Sequence, residues 1–203
     1  VAVPILHEFK ADQVYNIVAH SEAKLLFVGD QVWPTLNADE MPTLEGVVYI
    51  PDYSLVVSRT ERLTEARERL NEFFGKKFPK YFRKEHVSYR KALDGNALAL
   101  INYTSGTTSN SKGVLIPYRA IWSNLMFARQ VLGGKINRVD HVISMLPMAH
   151  MYGMSFEFIF EILQGCHIFY LTRVPSPKII FKAFSDIKPH IVISVPLIIE
   201  KII

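Results

Sequence analysis

The chain has 203 residues, of which 49% are hydrophobic, 12% aromatic and 21% charged. That composition excludes a disordered or low-complexity chain, and a domain of this size buries roughly 70% of the surface its unfolded form exposes. The net charge of +4 is local, because residues 61–91 hold ten Lys/Arg against five Asp/Glu. The distribution therefore argues against a nucleic-acid surface. The excess, Lys76, Lys77, Lys80, Arg83, Lys84, Arg90 and Lys91, reads as a solvated surface loop. Docking to an anionic lipid, nucleotide or partner is the alternative, and it leaves peripheral membrane contact open. The single cysteine, Cys166, rules out an internal disulfide, which makes a reducing cytoplasm the expected compartment. No apolar run reaches the roughly 20 residues of a membrane-spanning helix.

Residues 12–20 predict a helix with Val14, Ile17 and Val18 on one face. Residues 24–28 read as a buried strand closed by Gly29-Asp30, and 46–50 as a second strand stopped by Pro51. Residues 60–74 are the clearest amphipathic helix. Leu63, Ala66, Leu70 and Phe73 repeat at helical spacing, Glu65 and Arg69 form an i,i+4 pair, and Gly75 is the expected stop. Strands are expected at 97–103 and 113–117, then a helix over 118–132 closed by Gly133-Gly134. A strand at 141–146, a helix at 152–163 closed by Gly165, and a strand at 166–171 follow. A helix at 177–187 and a strand at 190–195 come next, and Pro196 opens a last helix at its favoured first-turn position. Strands without strict alternation, separated by helices, imply βαβ units. The expected fold is α/β, layered, with a mainly parallel sheet flanked by helices. Both ends interrupt an apolar pattern, so residues 1–203 are expected to be an interior piece of a larger protein.

The most informative segment is Tyr103-Thr-Ser-Gly-Thr-Thr-Ser-Asn-Ser-Lys-Gly-Val114. Seven of the eight residues 104–111 are Ser, Thr or Gly. Hydroxyls and backbone N–H groups can converge there on one anion, and Lys112 adds a point charge. That is the chemistry of polyphosphate binding. The Walker pattern needs Gly before the lysine and Ser or Thr after it. Here Ser111 precedes Lys112 and Gly113 follows, so that class is rejected. Of the remaining candidates, His7, His20, His86, His141, His167 and His190 show no ligand spacing. Cys166 reads as core, as do Met145, Met148, Met151 and Met154, with the lining of an adaptable apolar channel as the alternative for the methionines.

The hydroxyl loop resembles the signature [YF]-[TS]-S-G-T-T-G-x-P-K-G-V of the adenylate-forming superfamily, which includes acyl-CoA synthetases, luciferases and adenylation domains of peptide synthetases. The match covers Tyr103, Thr104, Ser105, Gly106, Thr107, Thr108, Lys112, Gly113 and Val114. Ser109 and Ser111 depart from the usual Gly and Pro, which leaves the hydroxyls and lysine intact. Leu146-Pro-Met-Ala-His-Met-Tyr-Gly153 resembles the P-L-x-H-x-x-G segment of the same family, with His150 lying 38 positions after Lys112. Val195-Pro196 and the stretch from Pro4 to Phe27 add weaker likeness.

This resemblance implies part of an N-terminal AMP-binding domain whose intact protein is a ligase. Such an enzyme activates a carboxylic acid with ATP and Mg²⁺ and passes the acyl group to coenzyme A. The resemblance implies that Thr104, Ser105, Gly106, Thr107, Thr108 and Lys112 hold the β- and γ-phosphates, with Thr104 also touching Mg²⁺. His150 and Lys112 are the implied catalytic residues, with His150 beside the acyl carboxylate and the α-phosphate. Tyr152 and Gly153 would border the acyl tunnel. The LPMAHMYG stretch looks most like a long-chain fatty-acid–CoA ligase. Adenylation of an amino or aryl acid for a carrier protein is the alternative, as is a non-catalytic nucleotide-binding module. The family's acidic Mg-binding motif, ribose-binding Asp and C-terminal lysine are expected beyond Ile203. The 203-residue piece alone is therefore expected to bind ATP poorly and make no adenylate.

Overall fold

A computed structural model of the chain describes residues 1–86, 94–104, 112–171 and 176–200. The chain divides into two compact units. Val1–Leu6, Gly95–Asn102 and Val114–Ile203 form one, and His7–Asp94 with Tyr103–Gly113 form the other.

The second unit opens with α1 (Ala11–His20), which buries Val14, Ile17 and Val18 at the i, i+3, i+4 spacing of one helix face. The Lys10 backbone N–H donates to the Gln13 side chain at 2.9 Å and so starts the helix. Strand β1 (Leu25–Val28) pairs in parallel with β2 (Gly46–Tyr49), and β2 pairs antiparallel with β3 (Leu55–Ser58). The reading of 24–28 as a run buried throughout is corrected: Leu25 and Phe27 are exposed, because successive strand side chains point to opposite faces and only the other set turns inward. Strand β3 has no counterpart in the sequence reading. It follows a turn in which Asp52 accepts the Ser54 N–H at 2.8 Å and Tyr53 takes φ 57°.

The expected helix over 60–74 is two helices, α2 (Glu61–Glu68) and α3 (Leu70–Lys77), broken at Arg69. Thr60 caps the first by accepting the Leu63 N–H at 3.3 Å. Gly75 does not end the second. It lies inside α3, which continues until the Phe78 N–H bonds Phe74 O at 2.8 Å and Pro79 blocks further turns. Neither helix buries a residue, so the apolar face expected of Leu63, Ala66, Leu70 and Phe73 is not packed, with Leu70 and Phe73 exposed. Lys76 and Lys77, expected in a solvated loop, lie in the last turn of α3.

In the first unit, β4 (Leu98–Thr104) pairs with β5 (Lys112–Pro117), each running on into the second unit, and a parallel bridge joins Ala2 to Leu100. Helix α4 (Tyr118–Leu132) follows. Strand β6 (His141–Ser144) pairs in parallel with β7 (His167–Tyr170). The connection leaves β6 through a turn at 145–150 and then becomes helical, with a π-helical stretch at Gly153–Ile159 running into α5 (Phe160–Gln164). Gly165 ends α5 at φ 77°, a left-handed cap that suits glycine. Helix α6 (Pro177–Ile187) is capped by the Ser176 hydroxyl, with Pro177 in its first turn. The strand expected at 190–195 reduces to one parallel bridge, Val142 to Ile191, since Val192, Ile193 and Ser194 line a cavity instead. Helix α7 (Pro196–Ile199) starts where Pro196 predicts.

Two clusters form the core of this unit. Leu125, Ala128, Ile136 and Phe160 make one, with Cys166 at its edge. Ile143, Met145, Ile180 and Ala183 make the other. Met145 is thus a core residue as read, whereas Met148 is exposed: it falls in the loop leaving β6, outside both clusters. No helix among the described residues is long and apolar enough to cross a membrane.

Candidate functional site

The hydroxyl loop is described at its two rims. Thr104 ends β4 and Lys112 begins β5, and both are exposed. Ser105, Gly106, Thr107 and Thr108 lie outside the described residues. Behind Thr104, Tyr103 is buried, and its hydroxyl sits 2.6 Å from His20 Nδ1. Burial pushes the Tyr103 phenol up, so it keeps its proton beside the imidazole. This bond ties the end of β4 to α1.

The second motif leaves the sheet at Ser144. Its turn is fastened at three points. The Asn102 amide donates to Ala149 O at 2.9 Å. The His150 N–H bonds Pro147 O at 2.9 Å. The Tyr152 N–H points at His150 Nδ1 at 3.3 Å. A neutral imidazole whose Nδ1 accepts carries its proton on Nε2, so Nε2–H is the donor His150 presents. His150 itself is exposed. Gly153 is required by close approach: a Cβ there would lie 2.6 Å from Pro147 O and 3.1 Å from Leu146 Cβ. The structure therefore brings His150, Tyr152 and Gly153 together on one turn, while Thr104 and Lys112 belong to the other unit.

Two acids stand behind that turn. Glu157 is 0% exposed and Glu161 1%. Glu157 Oε2 accepts from the N–H groups of Leu146 (2.7 Å) and Met145 (2.8 Å) and from the Ser144 hydroxyl (3.2 Å). Burial raises its pKa, and those three donors pull it back. Burial and the neighbouring Glu157 push Glu161 up to about 8. Two like charges in one dry site cannot both ionise cheaply, so Glu161 keeps its proton, and Glu157, with three donors on one oxygen, is the better placed of the two to carry a charge. In front of the turn lies a cavity of about 560 Å³, walled by Phe127, Val131, Leu132, Tyr152, Phe156 and Ile191 among others. Ser194 also lines it, its hydroxyl buried and without a hydrogen-bond partner. Among the described residues no group of three or more His, Cys, Asp or Glu could hold a metal ion.

The family model for AMP-binding enzymes matches residues 1–203. The chain belongs to the AMP-binding enzyme family. It is 25% identical over 203 residues to "Long chain acyl-CoA synthetase 3" of Arabidopsis thaliana, covering 98% of this chain and 30% of that protein. It also resembles the N-terminal domain of FACL13 from Mycobacterium tuberculosis, with TM-score 0.68 and 21% identity over 99% of this chain and 45% of that one. ATP-bound MatB from Rhodopseudomonas palustris gives TM-score 0.66 at 17% identity, over 100% and 35% of the two chains. These structures share the fold. The chain spans about 30% of the length of the curated relatives it matches end to end.

For an AMP-binding enzyme, three residues of this site escaped the sequence reading. Asn102 sits in a strand where nothing marks it. Glu157 and Glu161 carry a visible signal: two acids four apart in the stretch 153–163, whose only other polar side chain is Ser155. Such acids are rarely left fully buried without a partner.

Proposed function

We propose that the full-length polypeptide activates a carboxylic acid with ATP and transfers the acyl group to coenzyme A. A carboxylate oxygen attacks the α-phosphorus, the bond to pyrophosphate breaks, and an acyl-adenylate forms. The thiol of coenzyme A then displaces AMP. The observation that carries this reading is the family match over the whole chain. A long-chain fatty acid is the proposed acid. The named relative of Arabidopsis supports it, and so does the mainly apolar cavity beside Tyr152. Its volume lies inside the range of roughly 300–1,000 Å³ usual for small-molecule sites.

In this reading Thr104, Ser105, Gly106, Thr107, Thr108 and Lys112 hold the β- and γ-phosphates. The exposed hydroxyl and ammonium at the two rims of the loop fit that task, because neither must be stripped from a core contact. Magnesium, when bound, neutralises charge on the leaving pyrophosphate, and Thr104 supplies a hard oxygen suited to it. His150 donates from Nε2 to the acid or the α-phosphate, and Tyr152 and Gly153 border the acyl chain. Membrane contact through the basic stretch around α3 would suit a lipid substrate.

Acid-dependent pyrophosphate exchange by the full-length polypeptide tests this, with acids of graded chain length. We expect the rate to peak with long-chain fatty acids. A peak with an amino or aryl acid would transfer the enzyme to the carrier-protein alternative, and no exchange with any acid would sink the ligase reading. Lys112→Ala should lower exchange well over tenfold, since a hydrogen bond to a charged group contributes about 1.5–3 kcal/mol. An unchanged rate would remove the lysine from the site.

A further inference from the structure

Backbone N–H groups need partners when the chain leaves a sheet. Strand β6 ends at Ser144, and the next two amides, of Met145 and Leu146, both turn to one oxygen, Oε2 of Glu157. The Ser144 hydroxyl joins them. Glu157 reaches them from the π-helical stretch Gly153–Ile159. A π-turn inserts a residue, rotates the side chains that follow, and is frequently found at functional sites.

The clamp bears directly on the His150 turn. Leu146 and Pro147 are the residues on which Gly153 rests, and Pro147 O receives the His150 N–H. Met145 is buried in the core cluster with Ile143 and Ile180, so the clamped peptide is fixed on its inner side as well. Two backbone amides converging on a single carboxylate oxygen make strong, charge-assisted bonds. Burying an ion costs several kcal/mol unless hydrogen bonds offset it. An acid held wholly out of water beside a second acid, with its other oxygen unpartnered, is an expensive way to stabilise a fold. Fixing a reactive turn accounts for it better.

We propose that Glu157 is a positioning residue: its carboxylate, bound to the amides of Met145 and Leu146, sets the geometry in which His150 meets the acid substrate. The role in the reaction rests on the ligase reading above; the clamp itself does not.

Three measurements on the full-length polypeptide test it. First, in the wild type, hydrogen exchange at the Met145 and Leu146 amides should be as slow as at Ile143; free exchange would overturn the clamp. Second, Glu157→Gln, which keeps the shape and one acceptor oxygen but loses the charge, should speed exchange at those two amides at least tenfold. It should also lower kcat for acid-dependent pyrophosphate exchange about tenfold and leave KM for ATP within twofold. Glu157→Ala should be worse than Gln on both counts. Third, Glu72→Gln, on the exposed helix α3, should keep wild-type kcat; a loss equal to that of Glu157→Gln would overturn the positioning role. Wild-type kcat in both Glu157 variants would overturn the positioning role. A wild type with no acid-dependent exchange would instead sink the ligase reading, and the amide exchange would still decide the clamp.

Discussion

Glu72 and Glu161 are the same side chain in opposite surroundings. Glu72 lies on exposed α3, 2.8 Å from Arg69 and 2.6 Å from Lys76. Hydrogen bonds from Arg69 and then Lys76 hold its carboxyl down at about 2. Glu161 is buried in α5, where the loss of water and then the charge of Glu157 hold it up at about 8. The first acid gains partners that water can replace. The second has no water to fall back on. Charge at the surface of this molecule is therefore interchangeable, and charge behind the His150 turn is not.

The sharpest way to break that contrast is Glu157→Ala. It leaves the Met145 and Leu146 amides and the Ser144 hydroxyl without their shared acceptor. Each buried donor left unpaired costs roughly 1–3 kcal/mol, so a loss on the order of 3 kcal/mol is expected in urea unfolding. A loss indistinguishable from a surface substitution would show that Glu157 is as replaceable as Glu72.

A smaller effect follows from pH. The folded pKa of Glu161, about 8, stands above its ordinary 4.5. The folded state thus binds a proton that the unfolded state has already released. This contribution is fully present below about 4.5 and is lost as pH rises through about 8. The thermal midpoint of the wild type should fall across that window, and Glu161→Gln should flatten the fall. Glu157 acts on Glu161, and Glu161 acts in turn on Cys166, just before β7, and on Tyr170 within it. Burial first, and Glu161 next, raise the thiol and the phenol, and Asp140 adds to the thiol. Both therefore stay neutral through the window. A flat wild-type profile would place Glu161 in wetter surroundings than its burial implies.

The same division governs what the sequence could tell. Helices α1, α4 and α6 were legible to within a residue, because Val14, Ile17 and Val18, the glycines after Leu132, and the Ser176-Pro177 start are local signals. The break at Arg69 was not: propensity and pairing favour one helix over 60–74, and the interruption carries no Gly or Pro. Strand β3 is four residues long and gains its partner only through the hairpin from Tyr49. At the site, the hydroxyl loop and the His150 segment stood out as motifs. Their supports did not, since the bonds Asn102 to Ala149 and His20 to Tyr103 join residues 47 and 83 positions apart. A fully buried acid announces itself only once its surroundings are folded around it.

The smallest predicted effect is at the surface. Arg69 pairs with Glu65 and Glu72 and lies over the Phe73 ring at 4.9 Å, the densest set of charge contacts on α2 and α3. Counting contacts would make it a keystone of that region. Its side chain is nonetheless 43% exposed. Exposed ion pairs contribute little because water and side-chain freedom compete with them, and salt with a Debye length of about 8 Å at physiological strength screens them. Arg69→Ala should therefore lower the unfolding midpoint only slightly at neutral pH. The titration of Glu72 should move with it, back toward its ordinary 4.5, readable by carboxyl NMR. The sign differs from that of Glu161: a lowered carboxyl contributes above about 4.5 and loses its contribution as pH falls toward about 2. If Arg69→Ala instead destabilised the protein as much as Glu157→Ala does, burial would no longer be what separates the two acids.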